Sequence, residues 1–162
     1  MQSAISALAV VMLLAGAPAI AQQKAAGSNR AMERAVAEQK ALVDDFNKHD
    51  AAAIAALYAS NAVLVGPTGD VAKGRAAIEQ TEANTIKGFG NFKFASVVKD
   101  GGAVGNGVWF TFETTIESKA GSGPTIHVHG LSVLAPDGGK SWKLAATSLA
   151  ANVPPPGAPP AR

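Results

Sequence analysis

The sequence predicts an α+β domain in which three N-terminal helices pack into a curved, mixed or antiparallel sheet that forms a cone. Two observations carry this. Apolar residues recur at helical spacing up to about Ile86, and after Gly90 the period changes to alternation. Helices first and strands afterwards is the α+β order, distinct from the strand–helix alternation of a parallel sheet.

Residues 4–20 form an uncharged apolar run broken by Gly16 and Pro18, and Ala19-Ile20-Ala21 supplies the small residues of a signal-peptidase site. The run is short for a membrane span. Residues 1–21 therefore read as a signal peptide cleaved after Ala21, although no Lys or Arg precedes the run. The expected product is periplasmic or secreted, with no membrane attachment after cleavage. Residues 22–28 read as a flexible leader and residues 29–152 as the folded domain.

The first helix is expected over residues 29–48, where Met32, Val36, Val43 and Phe46 share a face with Leu42 on its flank. Ser28 or Asn29 is its expected cap. Asp50 is placed to cap a second helix carrying Ile54, Leu57 and Tyr58. A strand at residues 62–65 and a Gly66-Pro67-Thr68-Gly69 turn follow, and a third helix runs from Gly74 to about Ile86.

The strands come next. Phe92, Phe94, Ser96 and Val98 alternate on one face, and Asp100-Gly101-Gly102 reads as a turn. A long strand over residues 103–117 places Val108, Phe110, Phe112 and Ile116 on its apolar face. After a loop at residues 118–124, strands at 125–134 and 141–151 form a hairpin around Pro136-Asp137-Gly138-Gly139. The tail at residues 153–162 is too rich in proline for a helix or a central strand and reads as disordered.

The chain has 162 residues, with 14 Lys and Arg against 12 Asp and Glu and a net charge of +2. The basic residues are scattered, so nucleic acid is not an expected partner. There is no cysteine, which removes disulfides and thiolate chemistry.

Several short motifs occur in a telling order: a helix ending Leu57-Tyr58, Asn61-Ala62-Val63, Gly66-Pro67, Gly74-x-x-x-Ile78 and Gly139-x-x-Trp142-x-Leu144. In this order they resemble the nuclear transport factor 2-like superfamily, which includes ketosteroid isomerases and SnoaL-like cyclases. The resemblance covers about residues 35–151. It implies a cystatin-like or ketosteroid isomerase-like cone whose mouth takes a ligand, and a homodimer formed through the outer face of the sheet.

The isomerases use an Asp base, with a Tyr and a protonated Asp donating to the oxyanion. Matched to this chain, the tyrosine falls on Leu42, the base on Gly66 before Pro67, and the second Asp near Ser132. Leu42 and Gly66 can neither donate nor abstract a proton, which argues against that mechanism. Other enzymes of this cone need acidic groups in the pocket. Here Asp50 reads as a cap, Asp70 as a turn residue, and Arg75, Glu79 and Glu82 as the solvated face of a helix.

His127 and His129 share one strand face. Pairing Glu117 with Thr125 sets Glu113 opposite His129 and Thr115 opposite His127. No cofactor is expected. Alternatively, His127, His129 and Glu113 would hold a transition metal. Val108, Phe110, Phe112, Ile126 and Val128 are the more apolar set, so the histidines are expected to point outward.

The expected pocket lining is Leu42, Phe46, Tyr58, Val65, Phe110, Phe112, Thr114, Ser132 and Trp142. These residues suit a small, mostly apolar ligand with one or two polar groups. The expected function is binding of such a ligand, or of a protein partner, in the cone. The alternative is an isomerase, cyclase or hydrolase that uses Tyr58 and a histidine.

Overall fold

The computed structural model describes residues 17–121, 125–138 and 141–151. The expected tail and residues 1–16 of the expected signal peptide lie outside the described residues. Helices α1 (Ala17–Lys48), α2 (Ala51–Ala56) and α3 (Arg75–Gly88) are joined by two strands, β1 (Tyr58–Val65) and β2 (Val71–Lys73). Strands β3 (Phe92–Val104), β4 (Gly107–Ser118), β5 (Ile126–Pro136) and β6 (Trp142–Ala151) follow. The fold is α+β, with one six-stranded mixed sheet in the order β2-β1-β6-β5-β4-β3.

Helix α1 begins earlier than expected. Residues 22–28, expected as a flexible leader, belong to it, so neither Ser28 nor Asn29 is its cap. Alanine, glutamine and lysine dominate this stretch, and all three favour helix. The buried stripe of α1 is Ala31, Ala35, Gln39 and Leu42, spaced by one helical turn, while Val36 is 51% exposed. Small alanines let the helix backbone come close to β3 and β4, against which it packs. Asn47 clamps this contact. Its amide donates to the Phe94 carbonyl at 2.9 Å and accepts from the Phe94 N–H at 3.0 Å.

Helix α2 is capped as expected, with the Asp50 carboxylate accepting from the Ala53 N–H at 2.9 Å. It ends at Ala56, one residue before the expected Leu57-Tyr58, and Tyr58 opens β1 instead. Tyr58, Leu64 and Ala62 are all buried in β1. Gly74 precedes α3 with a φ of 80°, a left-handed conformation that glycine adopts without a Cβ penalty. Arg75 then reaches back, its guanidinium donating to the Tyr58 carbonyl at 2.8 and 3.1 Å.

The expected turn at Asp100-Gly101-Gly102 lies inside β3, and the reversal comes at Gly105 and Asn106. A Cβ on Gly101 would lie 2.8 Å from the Trp109 carbonyl oxygen, so this glycine marks a close strand approach. In β4 and β5, Glu113 pairs with His129 and Thr115 with His127. These are the pairings expected from the sequence. Strand β6 lies beside β5 antiparallel and beside β1 parallel. The Leu144 N–H to Leu57 carbonyl bond of 2.9 Å ties the last strand to the end of α2.

The core cluster brings Ile54, Tyr58, Leu64, Ile78, Phe110, Phe112, Leu134 and Leu144 together between helices and sheet. A second cluster centres on Phe94, Ile116 and Val128 at the sheet's far end, with Phe46 and Phe94 stacked at 4.9 Å between ring centres.

Candidate functional site

A cavity of about 340 Å³ opens between α1, α3 and the inner sheet face. Its volume lies near the lower end of ordinary small-molecule sites, which run from about 300 to 1,000 Å³. Helix α1 contributes Gln39, Leu42, Val43 and Phe46, and α3 contributes Thr81, Glu82 and Thr85. Phe112, Thr114 and Ile116 of β4 form the floor with Val128 of β5 and Thr147 of β6. The turn after β1 supplies Gly66, Pro67, Thr68 and Asp70.

Five of the expected pocket residues, Leu42, Phe46, Tyr58, Phe112 and Thr114, line this cavity together. Val65, Phe110, Ser132 and Trp142 do not. Strand alternation turns Val65 to the opposite face from Leu64, which does line it. Phe110 is fully enclosed in the core, and Ser132 is buried against Thr147, its hydroxyl 2.9 Å from the threonine's. Trp142 sits under Arg34, whose guanidinium carbon lies 4.4 Å from the ring centre.

Glu82 does not belong to a solvated face, contrary to the sequence expectation. It is only 5% exposed and lines the cavity. It stands one turn after the buried Ile78 and one turn before the half-buried Ile86, so the backbone places all three on the inward face of α3. Burial pushes its carboxyl up to about 7, and only the Thr85 hydroxyl opposes the rise. That hydroxyl already donates to the Thr81 carbonyl at 3.1 Å, which leaves it a poor donor to Glu82. Among the described residues, no lysine, arginine or histidine pairs with Glu82.

Tyr58 is 1% exposed. Burial holds its phenol well above the ordinary tyrosine range, with the Glu82 and Glu38 carboxylates adding to the effect and the Thr147 hydroxyl working against it. The phenol therefore stays protonated and acts as a hydrogen-bond donor.

Leu42 and Gly66, the two positions matched to isomerase groups, both line the cavity. A Cβ on Gly66 would lie 2.6 Å from an Asp70 carboxylate oxygen, so Asp70 occupies the space a side chain at position 66 would need. The Thr68 hydroxyl donates to that carboxylate and fixes it there. Asp70 is thus a turn residue, as expected, and a wall of the cavity as well.

His127 and His129 stand on the other side of the sheet, because Val128 between them points into the cavity. Neither can meet Tyr58, which removes the geometry that an enzyme using that pair would need. Glu113 Oε2 is 3.1 Å from Lys99 Nζ, and this cation holds the Glu113 carboxyl below the usual range. Glu113 Oε1 lies 3.3 Å from His127 Nδ1, close enough for an ion pair but not aligned for a hydrogen bond. Among the described residues, no three His, Cys, Asp or Glu side chains converge on a metal position. The Glu113 carboxylate is instead shared between Lys99 and His127.

Comparison with known proteins fits this architecture. The model of the SnoaL-like domain matches residues 40–143, well over half of the chain. A domain of unknown function with a cystatin-like fold from Nostoc punctiforme superposes with a TM-score of 0.67 at 15% identity, covering 76% of this chain and 79% of that one. A ketosteroid isomerase-like protein from Erwinia carotovora atroseptica gives 0.61 at 22% identity, covering 73% and 93%. A protein of the NTF2-like family from Streptomyces avermitilis gives 0.64 at 17% identity, covering 75% and 96%. At these identities the likeness to solved structures is one of fold alone. Among curated proteins, none matches the sequence. By its matched domain the chain belongs to the SnoaL-like domain family, and its α+β architecture is that of the cystatin-like fold.

Proposed function

We propose that the chain binds a small, mostly apolar molecule in the cone between its helices and its sheet, without steroid-isomerase chemistry. The observation that carries this reading is the cavity, walled by Leu42, Val43, Phe46, Phe89, Phe94 and Phe112 with few polar groups among them. Such a wall favours apolar ligands at about 0.8 kcal/mol per buried methylene. The absence of a proton-transfer group at Leu42 and Gly66 supports binding over isomerisation.

A thermal-shift screen of small apolar compounds tests this, with Val43→Trp as the cavity-filling variant and circular dichroism to check its fold. The expected result is a set of compounds that raise the Tm of the native protein and not of the variant. Compounds that stabilise both alike, or none that stabilises either, defeat the reading.

The same proposal includes export and self-association. Export rests on the apolar run at residues 4–20 and is tested by finding Gln22 as the N-terminal residue of protein from the periplasm or medium. Self-association rests on Val71, Val97 and Leu131, each exposed on the outer sheet face. Sedimentation should show a dimer that Leu131→Glu converts to monomer. A native protein that sediments as a monomer at high concentration overturns it.

A further inference from the structure

The cavity is acidic. Two of its lining residues, Asp70 and Glu82, carry carboxyl groups, and among the described residues no lysine, arginine or histidine lines it. Glu82 is nine-tenths buried, with the Thr85 hydroxyl and the Tyr58 phenol near it and no cation. A carboxylate so placed is costly when ionised, and a cation brought by a ligand is what offsets that cost.

The remaining walls fit the same ligand. Phe46, Phe89 and Phe94 form a connected aromatic group on the cavity wall, with Phe89 packed edge-on to Phe94 at 6.3 Å. Aromatic rings accept both an apolar body and a nearby positive charge. An anionic ligand meets two carboxyl groups and no base. A neutral ligand leaves the Glu82 charge unanswered above neutral pH.

We propose that Glu82 is the recognition group for a protonated amine, and that the cavity selects small amphiphiles with an aromatic or aliphatic body and one ammonium head. This rests on the reading of the cavity as a ligand site and adds the class of ligand. The Glu82 carboxylate accepts from the ammonium deep in the cavity, while Asp70 adds negative potential at the turn side. The titratable groups facing the cavity are Tyr58 of β1, Asp70 of the turn and Glu82 itself; α1, β3, β4, β5 and β6 contribute none. Amine binding therefore displaces a proton from Glu82 and strengthens as pH rises through its folded value.

The test is isothermal titration at about pH 8 with phenylbutylamine, phenylbutanol and phenylbutyrate, on the native protein and on the near-isosteric Glu82→Gln. Charge-assisted hydrogen bonds give the expected scale: the amine binds about tenfold or more tightly than the alcohol, and the acid binds weakest. Glu82→Gln removes the amine's advantage, so that amine and alcohol bind the variant within about threefold of each other. The inference alone is overturned if the alcohol binds the native protein as tightly as the amine, or if Glu82→Gln keeps the amine's advantage. If none of the three probes binds, the reading of the cavity as a ligand site falls with it.

Discussion

Replacing Glu82 by glutamine should stabilise the ligand-free protein, and should do so progressively as pH rises above about 4.5. In the folded state burial raises the carboxyl to about 7, against 4.5 for an unperturbed glutamate. At about 1.4 kcal/mol per pH unit, that gap makes ionised Glu82 cost the folded state about 3 kcal/mol. The sign follows from proton counting. Between 4.5 and about 7 the folded chain holds a proton that the unfolded chain has released, so stability falls as pH rises through this window. Below it both states are protonated and nothing is lost. Above it both are ionised and the full cost is present. Glutamine never ionises, so Glu82→Gln should match the native protein near pH 4 and exceed it by about 3 kcal/mol near pH 8. Urea titrations of both proteins across that range measure the difference directly, provided the slopes agree. Parallel pH profiles for the two proteins would refute the argument, since they would mean that Glu82 ionises as freely in the fold as outside it.

Two further substitutions probe the frame of the cavity. Gly130 sits opposite Phe112 in the β4–β5 ladder, and the Phe112 ring lies across the place a Cβ would occupy. Gly130→Ala should push that ring into the cavity and cost about 1–3 kcal/mol, read as a lower urea midpoint together with weaker binding of cavity ligands. Asp50→Ala removes the carboxylate that accepts from the Ala53 N–H and should cost about 1 kcal/mol in the same assay. A midpoint unchanged in either variant would contradict the corresponding contact.

The sheet was the more legible half of the sequence. Long strands with clean alternation leave one register that buries Phe110, Phe112 and Ile116, and that register carried Glu113 to His129. The helical half was harder, because α1 buries alanines and a glutamine. Ala31, Ala35 and Gln39 carry little hydropathy, so the larger Val36 drew the expected face one position around the helix. Glycine misled at residues 100–102, where it serves close packing within β3 and not a reversal. Glu82 was hidden by its charge. Its position, midway between Ile78 and Ile86 on one helical face, was the signal available, and residue type outweighed it. Local patterns cannot show that a carboxyl will be buried, since the cavity it lines is walled by α1, β1 and the later strands, far from it in sequence.

The place of β6 sets how this protein must be made. Strand β6 lies between β1 and β5, with Tyr58 beside Leu144 on one side and Ser132 beside Thr147 on the other. Until it is added, β2-β1 and β5-β4-β3 are two separate ribbons, each with an open edge. The domain therefore closes late, through contacts between residues far apart in sequence, and should fold slowly for its size. A chain cut short before Trp142 loses the seam between its halves. It is then an aggregation-prone fragment, not a smaller version of the same domain.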